Sequence, residues 1–132
     1  FQWGVLYQFL YLETFRGALP KKKEEKRSDI ITVDETMLGN CKGHRLFALK
    51  VTGESMIGRN ICDGDWVIAD ADASPHEDDV VVALIDGDNT LKTLAKEKNS
   101  YYLRSENPNH PNWIPMGEMI VQGVVKTLIR RV

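Results

Sequence analysis

Ser55, in the turn-like stretch Gly53-Glu54-Ser55-Met56, and Lys92, in the strand-like stretch Asn89-Thr90-Leu91-Lys92-Thr93-Leu94, are the two residues whose types could do chemistry together. A serine hydroxyl is a weak nucleophile at neutral pH and needs a base; a lysine amine can be that base only in its neutral form. The ordinary lysine pKa is about 10.4, and burial among apolar groups lowers it by several units because the charged form loses its water. Leu91 and Leu94 flank Lys92, and the apolar run Val80–Leu84 precedes it, so an inward-facing Lys92 has the surroundings that such a shift requires. A lysine on the outer face of a half-exposed strand is the commoner fate of the residue type, and a turn serine usually satisfies backbone groups. The information is therefore in the pair. The two residues stand 37 positions apart, so a folded β-rich core has to bring them together.

Other chemistries have weaker support. His44, His76 and His110 all lie in loop-like sequence, and the nucleophile-elbow pattern Gly-x-Ser-x-Gly does not occur. His76 with Glu77, Asp78 and Asp79 could hold a cation, but an acidic surface turn is the simpler reading. The sequence has no phosphate-cradling glycine loop and no dinucleotide fingerprint, so no metal or cofactor is expected.

The elements that must position the pair read as a β domain. Ile30–Val33 is a short apolar run, and Arg45–Thr52 alternates loosely up to Gly53. Asp63-Gly64 leads into Asp65–Ala69, and Val80–Ile85 is the continuous apolar run of a strand buried on both faces. Asp86-Gly87 predicts a tight hairpin turn, because this pair tolerates positive φ; it joins Val80–Ile85 to Thr90–Leu94. Ser100–Arg104 is a strand by propensity, Glu106–Pro111 a loop, and Met119–Ile129 a final long strand with Gly123 at a bulge or bend. Only the neighbourhood of Ser55–Ile57 and the first 20 residues admit helix.

The 132 residues suit one domain large enough for a core, and 42% hydrophobic with 27% charged residues is the balance of an ordinary globular protein. A net charge of −2 argues against a chain that binds nucleic acid along a broad basic face. Cys41 and Cys62 lack metal spacing and read as free thiols in a reducing compartment, hence a cytoplasmic protein. Phe1–Leu12 is too short to span a bilayer and carries no basic residue; packing on the chain's own core or on a partner is expected of it. Residues 21–27, Lys-Lys-Lys-Glu-Glu-Lys-Arg, read as a solvated linker. Residues 1–28 thus form an N-terminal segment with a charged linker, and 29–132 the β domain. The sequence opens on Phe1 rather than Met, so residues upstream are expected.

Val51-Thr52-Gly53-Glu54-Ser55-Met56, Ile61–Ala69, Val80–Leu84, Asp86–Leu94, Leu103-Arg104-Ser105-Glu106-Asn107-Pro108 and Val121–Lys126 together, in this order and spacing, resemble the LexA/UmuD family of self-cleaving serine peptidases. The resemblance runs from about Ile31 to the C-terminus. It implies a compact, mostly antiparallel β domain of the LexA/signal-peptidase type, with little helix, that forms homodimers, often through its C-terminal strand. It implies Ser55 as nucleophile, Lys92 as neutral general base, Met56 as a residue shaping the site, and backbone N–H groups near Glu54 and Ser55 as the oxyanion hole. It also implies cleavage of the same chain upstream of the serine, stimulated by RecA filaments on single-stranded DNA as a population shift.

The chain departs from that pattern at the cut. Family members are typically cut between Ala or Cys and Gly, and neither pair occurs here. The distance from Ser55 puts the scissile region near Arg16, Gly17 and Ala18, with Arg16 in place of the small residue; either the cut has diverged to this form, or it lies upstream of Phe1, or the chain does not cleave itself. The preferred reading is the peptidase and dimerisation domain of an SOS-type repressor, whose operator DNA would be met by an N-terminal helix-turn-helix missing from this sequence. A UmuD-like subunit of an error-prone DNA polymerase is the alternative. Behind these stand a non-cleaving dimerisation module and a signal-peptidase-like protease, which also uses a Ser–Lys dyad but would need a membrane anchor.

Overall fold

The computed structural model describes residues 6–15, 30–34, 41, 43–116 and 119–131, the first two stretches by their backbone pairing. Eight strands are found among them: β1 (Leu6–Phe15), β2 (Ile30–Asp34), β3 (Leu46–Val51), β4 (Trp66–Asp70), β5 (Val80–Ile85), β6 (Asp88–Glu97), β7 (Ser100–Arg104) and β8 (Ile120–Ile129). They join in the order β2-β1-β3-β4-β8-β5-β6-β7, and every pairing is antiparallel except β1 with β2. The mainly-β expectation holds. Helix is confined, among the described residues, to one 3-10 turn, Ile57–Arg59, beside the serine.

Helix, which the sequence admits within the first 20 residues, is not found over residues 6–15. Leu6–Phe15 is a strand, antiparallel to β3 with Phe9 opposite Leu49 and parallel to β2 with Tyr11 opposite Ile30. The aromatic residues of this stretch favour strand, and β3 supplies the edge to pair with. Arg16, Gly17 and Ala18 lie outside the described residues.

Period-two alternation distributes the core. Phe47, Leu49 and Val51 of β3 join Val67 and Ala69 of β4, Val80 and Val82 of β5, and Leu91 of β6 in one buried cluster. Val81, Ala83 and Ile85 pack on the opposite face with Leu94, Leu103 and Val124. β5 is therefore buried on both faces, as its unbroken apolar run predicts. β8 lies between β4 and β5, and its register slips against both, with Gly123 opposite Val82 and Val121 opposite Ala83. A Cβ on Gly123 would stand 2.9 Å from the Phe47 ring, so this close crossing requires glycine.

Two hairpins carry the lysine strand. Ile85 faces Asp88 across Asp86 (φ 52°) and Gly87 (φ 86°), the two-residue turn expected there. Glu97 faces Ser100 across Lys98 (φ 50°) and Asn99 (φ 68°), a turn of the same kind. Asp65 ties the start of β4 to the chain end: Arg130 donates to its two carboxylate oxygens at 2.8 and 2.7 Å. Cys41 and Cys62 are free thiols. Among the described residues no helix is long and apolar enough to cross a membrane.

Candidate active site

The serine sits where β3 runs out. Val51 N donates to Asp65 O and Gly64 N to Val51 O, both at 2.8 Å, which closes the base of the segment 51–65. Gly53 then adopts φ 85°, in the left-handed region open to glycine, and its N–H donates to Asp63 Oδ1 at 2.8 Å. The chain turns inward, so Ser55 is 0% exposed. Met56 drives this turn into the core: its side chain is buried among Val51, Ile61 and Leu91, and its carbonyl accepts from Arg59 N at 3.0 Å and Ile61 N at 3.2 Å.

The lysine comes from β6, opposite Val81 of β5. Lys92 is also 0% exposed. Its Nζ donates to Ser55 Oγ at 3.2 Å, to Thr90 Oγ1 at 3.3 Å and to Leu91 O at 3.2 Å. These acceptors are uncharged, and burial pushes the Lys92 pKa down to about 8. About a tenth of such amines is neutral at pH 7, and a neutral amine 3.2 Å from a hydroxyl is within proton-transfer distance.

Ser55 and Lys92, predicted as a pair, are thus brought together. The Glu54 carbonyl faces away to a third segment, accepting Asn107 Nδ2 at 2.9 Å. The histidines are engaged otherwise: His44 Nδ1 meets the buried Asp70 carboxylate, and His76 Nδ1 lies 3.8 Å from Asp79 Oδ2. Among the described residues no group of three or more His, Cys, Asp or Glu side chains gathers to hold a metal.

Sequence reasoning left Thr90, Gly58, Glu106 and Asn107 without roles. Thr90 carried a usable signal, since two residues apart on a strand means the same face as Lys92. The other three touch the serine turn only through the fold: Glu106 N donates to Ser55 O at 2.7 Å, and Gly58 N donates to Glu106 O at 2.8 Å.

Comparison with known proteins identifies the family. Residues 10–126 match the family model described as Peptidase S24-like. The chain is 41% identical over 100 residues to the LexA repressor of Verrucomicrobium spinosum, covering 76% of this chain and 49% of that protein. It is 37% identical over 113 residues to the LexA repressor of Mycolicibacterium vanbaalenii, covering 86% of this chain and 47% of that one. The chain spans about half the length of the curated relatives it matches.

Proposed function

The chain belongs to the Peptidase S24-like family, and from that membership we propose that it is the Ser–Lys autopeptidase and dimerisation domain of a LexA-like, SOS-type transcriptional repressor. The observation that carries the reading is the 3.2 Å approach of Lys92 Nζ to Ser55 Oγ with both groups buried. Neutral Lys92 takes the Ser55 proton as Oγ attacks the scissile carbonyl carbon. The peptide C–N bond then breaks, and the new amine leaves with the proton held on Lys92. Water, deprotonated by Lys92, hydrolyses the acyl ester, releasing the carboxylate and restoring the Ser55 hydroxyl. The backbone N–H groups near Glu54 and Ser55 receive the oxyanion. Thr90 and the Leu91 carbonyl keep Nζ on its target.

In this reading the scissile bond lies upstream, in the region of Arg16, Gly17 and Ala18. The homodimer, the cytoplasmic setting and stimulation by RecA on single-stranded DNA belong to the same proposal. Operator DNA is contacted through the part of the relatives' length that this chain does not span. The repressor is preferred over a polymerase subunit because the relatives cited above are named LexA repressor.

The test is incubation of the chain at pH 7 and pH 9, with and without RecA filaments, and mass spectrometry of the products. One cut that is absent from Ser55→Ala and Lys92→Ala is expected, and the fragment masses locate it. A chain that stays intact with RecA at pH 9, or a cut that persists in both variants, sinks the proposal.

A further inference from the structure

The loop 105–112 touches the nucleophile turn at three points. Asn107 Nδ2 donates to Glu54 O at 2.9 Å, Glu106 N donates to Ser55 O at 2.7 Å, and Glu106 O accepts Gly58 N at 2.8 Å. A peptide unit is planar and trans, so fixing its carbonyl fixes the direction of the N–H on its far side. The Glu54 carbonyl shares its plane with Ser55 N–H, and the Ser55 carbonyl shares its plane with Met56 N–H. The two planes that meet at the Ser55 Cα are therefore each held by one residue of the loop, Asn107 for the first and Glu106 for the second.

The loop is built to hold them. Ser105 Oγ donates to Pro111 O at 2.7 Å and Ser105 N to Asn112 Oδ1 at 3.0 Å, while Asn109 N donates to Asn107 Oδ1 at 2.9 Å. Ser105 and Asn107 are buried, and the Glu106 carboxylate is pinned by Arg104 at 3.1 Å. The approach is also close: a Cβ on Gly58 would stand 2.5 Å from the Glu106 carbonyl oxygen.

We propose that the 105–112 loop is a clamp that orients the peptide planes on either side of Ser55, with Asn107 as the positioning residue that aims the Ser55 N–H at the developing oxyanion. The proposal rests on the reading of Ser55 as nucleophile. A donor on the Glu54 carbonyl also polarises that peptide, which strengthens its N–H as a donor in turn. Asn107 acts on the oxyanion side of the reaction and Lys92 on the proton side, so the two affect different observables.

The probe is diisopropyl fluorophosphate. Ser55 Oγ forms a bond to phosphorus, the P–F bond breaks, fluoride leaves, and the serine proton passes to Lys92. Labelling rates are followed by mass spectrometry from pH 7 to 10 for the unaltered chain, Ser55→Ala, Asn107→Asp and Asn107→Ser, with thermal melting of each. Asp keeps the acceptor used by Asn109 N but replaces the donor to Glu54 O; Ser is short of that carbonyl, and serves if the Asp variant does not fold. The expected result is a plateau rate lowered at least about tenfold in both variants, as loss of an oxyanion donor gives, with the pH midpoint unmoved in the uncharged Asn107→Ser; the new carboxylate of Asn107→Asp raises the midpoint by itself. An unchanged plateau in a folded variant overturns the clamp, and so does a midpoint that moves with the plateau in Asn107→Ser, since the loop would then act on the lysine. An unaltered chain that takes no label at Ser55 refutes the nucleophile reading instead, and the positioning role falls with it.

Discussion

Lys92 and Asp65 are both buried and ionisable, and both belong to the surroundings of the segment 51–65, yet the fold treats them in opposite ways. Asp65 receives Arg130 on its two carboxylate oxygens at 2.8 and 2.7 Å and Cys62 N at 2.7 Å. The Arg130 hydrogen bond outweighs burial and holds the Asp65 carboxyl below the ordinary carboxylate range. Lys92 instead donates to a hydroxyl, a second hydroxyl and a carbonyl, and burial brings its pKa down to about 8. A buried charge that is matched by an ion and hydrogen-bonded contributes to stability; one surrounded by neutral dipoles is pushed toward its uncharged form. The first arrangement closes the segment that carries Ser55. The second makes a base near neutral pH at the expense of stability.

Removing the amine breaks the contrast most sharply. Lys92→Met should lower self-cleavage at least about a thousandfold while raising the melting temperature at pH 7. The desolvation behind a fall from 10.5 to about 8 is worth about 3 kcal/mol, and lost hydrogen bonds reduce the net gain to about 1–2 kcal/mol. Because the folded pKa lies below the unfolded one, the unfolded chain binds more protons between pH 8 and 10.5. Stability of the unaltered chain therefore rises with pH across that window. The advantage of Lys92→Met is full below pH 8 and fades by pH 10.5, which melting curves at several pH values will check; a gain independent of pH would contradict the account.

Asp65→Asn tests the other side. It leaves Arg130 facing a neutral amide and should lose about 2–3 kcal/mol at pH 7 in denaturant titration. Here the folded pKa is depressed, so the contribution is present above the ordinary carboxylate pKa and lost as pH falls through the lowered value. The two proteins should converge in acid.

A smaller effect sharpens the lysine's role. With a pKa of about 8 the neutral fraction rises about tenfold from pH 7 to pH 9, and single-turnover cleavage should rise by the same factor. A flat profile would mean that Lys92 is not the titrating base. The smallest effect is at an exposed ion pair: Arg45 reaches Asp72 at 2.8 Å, and Arg45→Met should leave the melting temperature unchanged within error.

Legibility of the fold followed how local each signal is. The limits of β5 and β7 could be read directly, since an unbroken Val-Val-Val-Ala-Leu-Ile run and a Tyr-Tyr-Leu centre are strand-forming in any setting. Asp86-Gly87 announced its hairpin, whereas Lys98-Asn99 makes an equivalent turn with a lysine at φ 50°, a residue type that carries no such signal. Leu6–Phe15 stayed open because an apolar aromatic stretch without turn residues suits either element, and only the edge of β3 decides between them.

The sequence by itself determined the chemistry available: a serine at a glycine turn, a lysine between leucines, and blocks spaced as the LexA/UmuD type spaces them. It also determined most strands, because alternation and turn residues are properties of neighbours. The tertiary structure alone decided that Lys92 points inward, that its amine stops 3.2 Å from Ser55 Oγ, and that Asn107, 53 positions from Glu54, holds the carbonyl of the residue before the serine. Burial lowers a pKa and a hydrogen bond fixes a peptide plane only once distant segments meet, and where they meet is a property of the packed sheet.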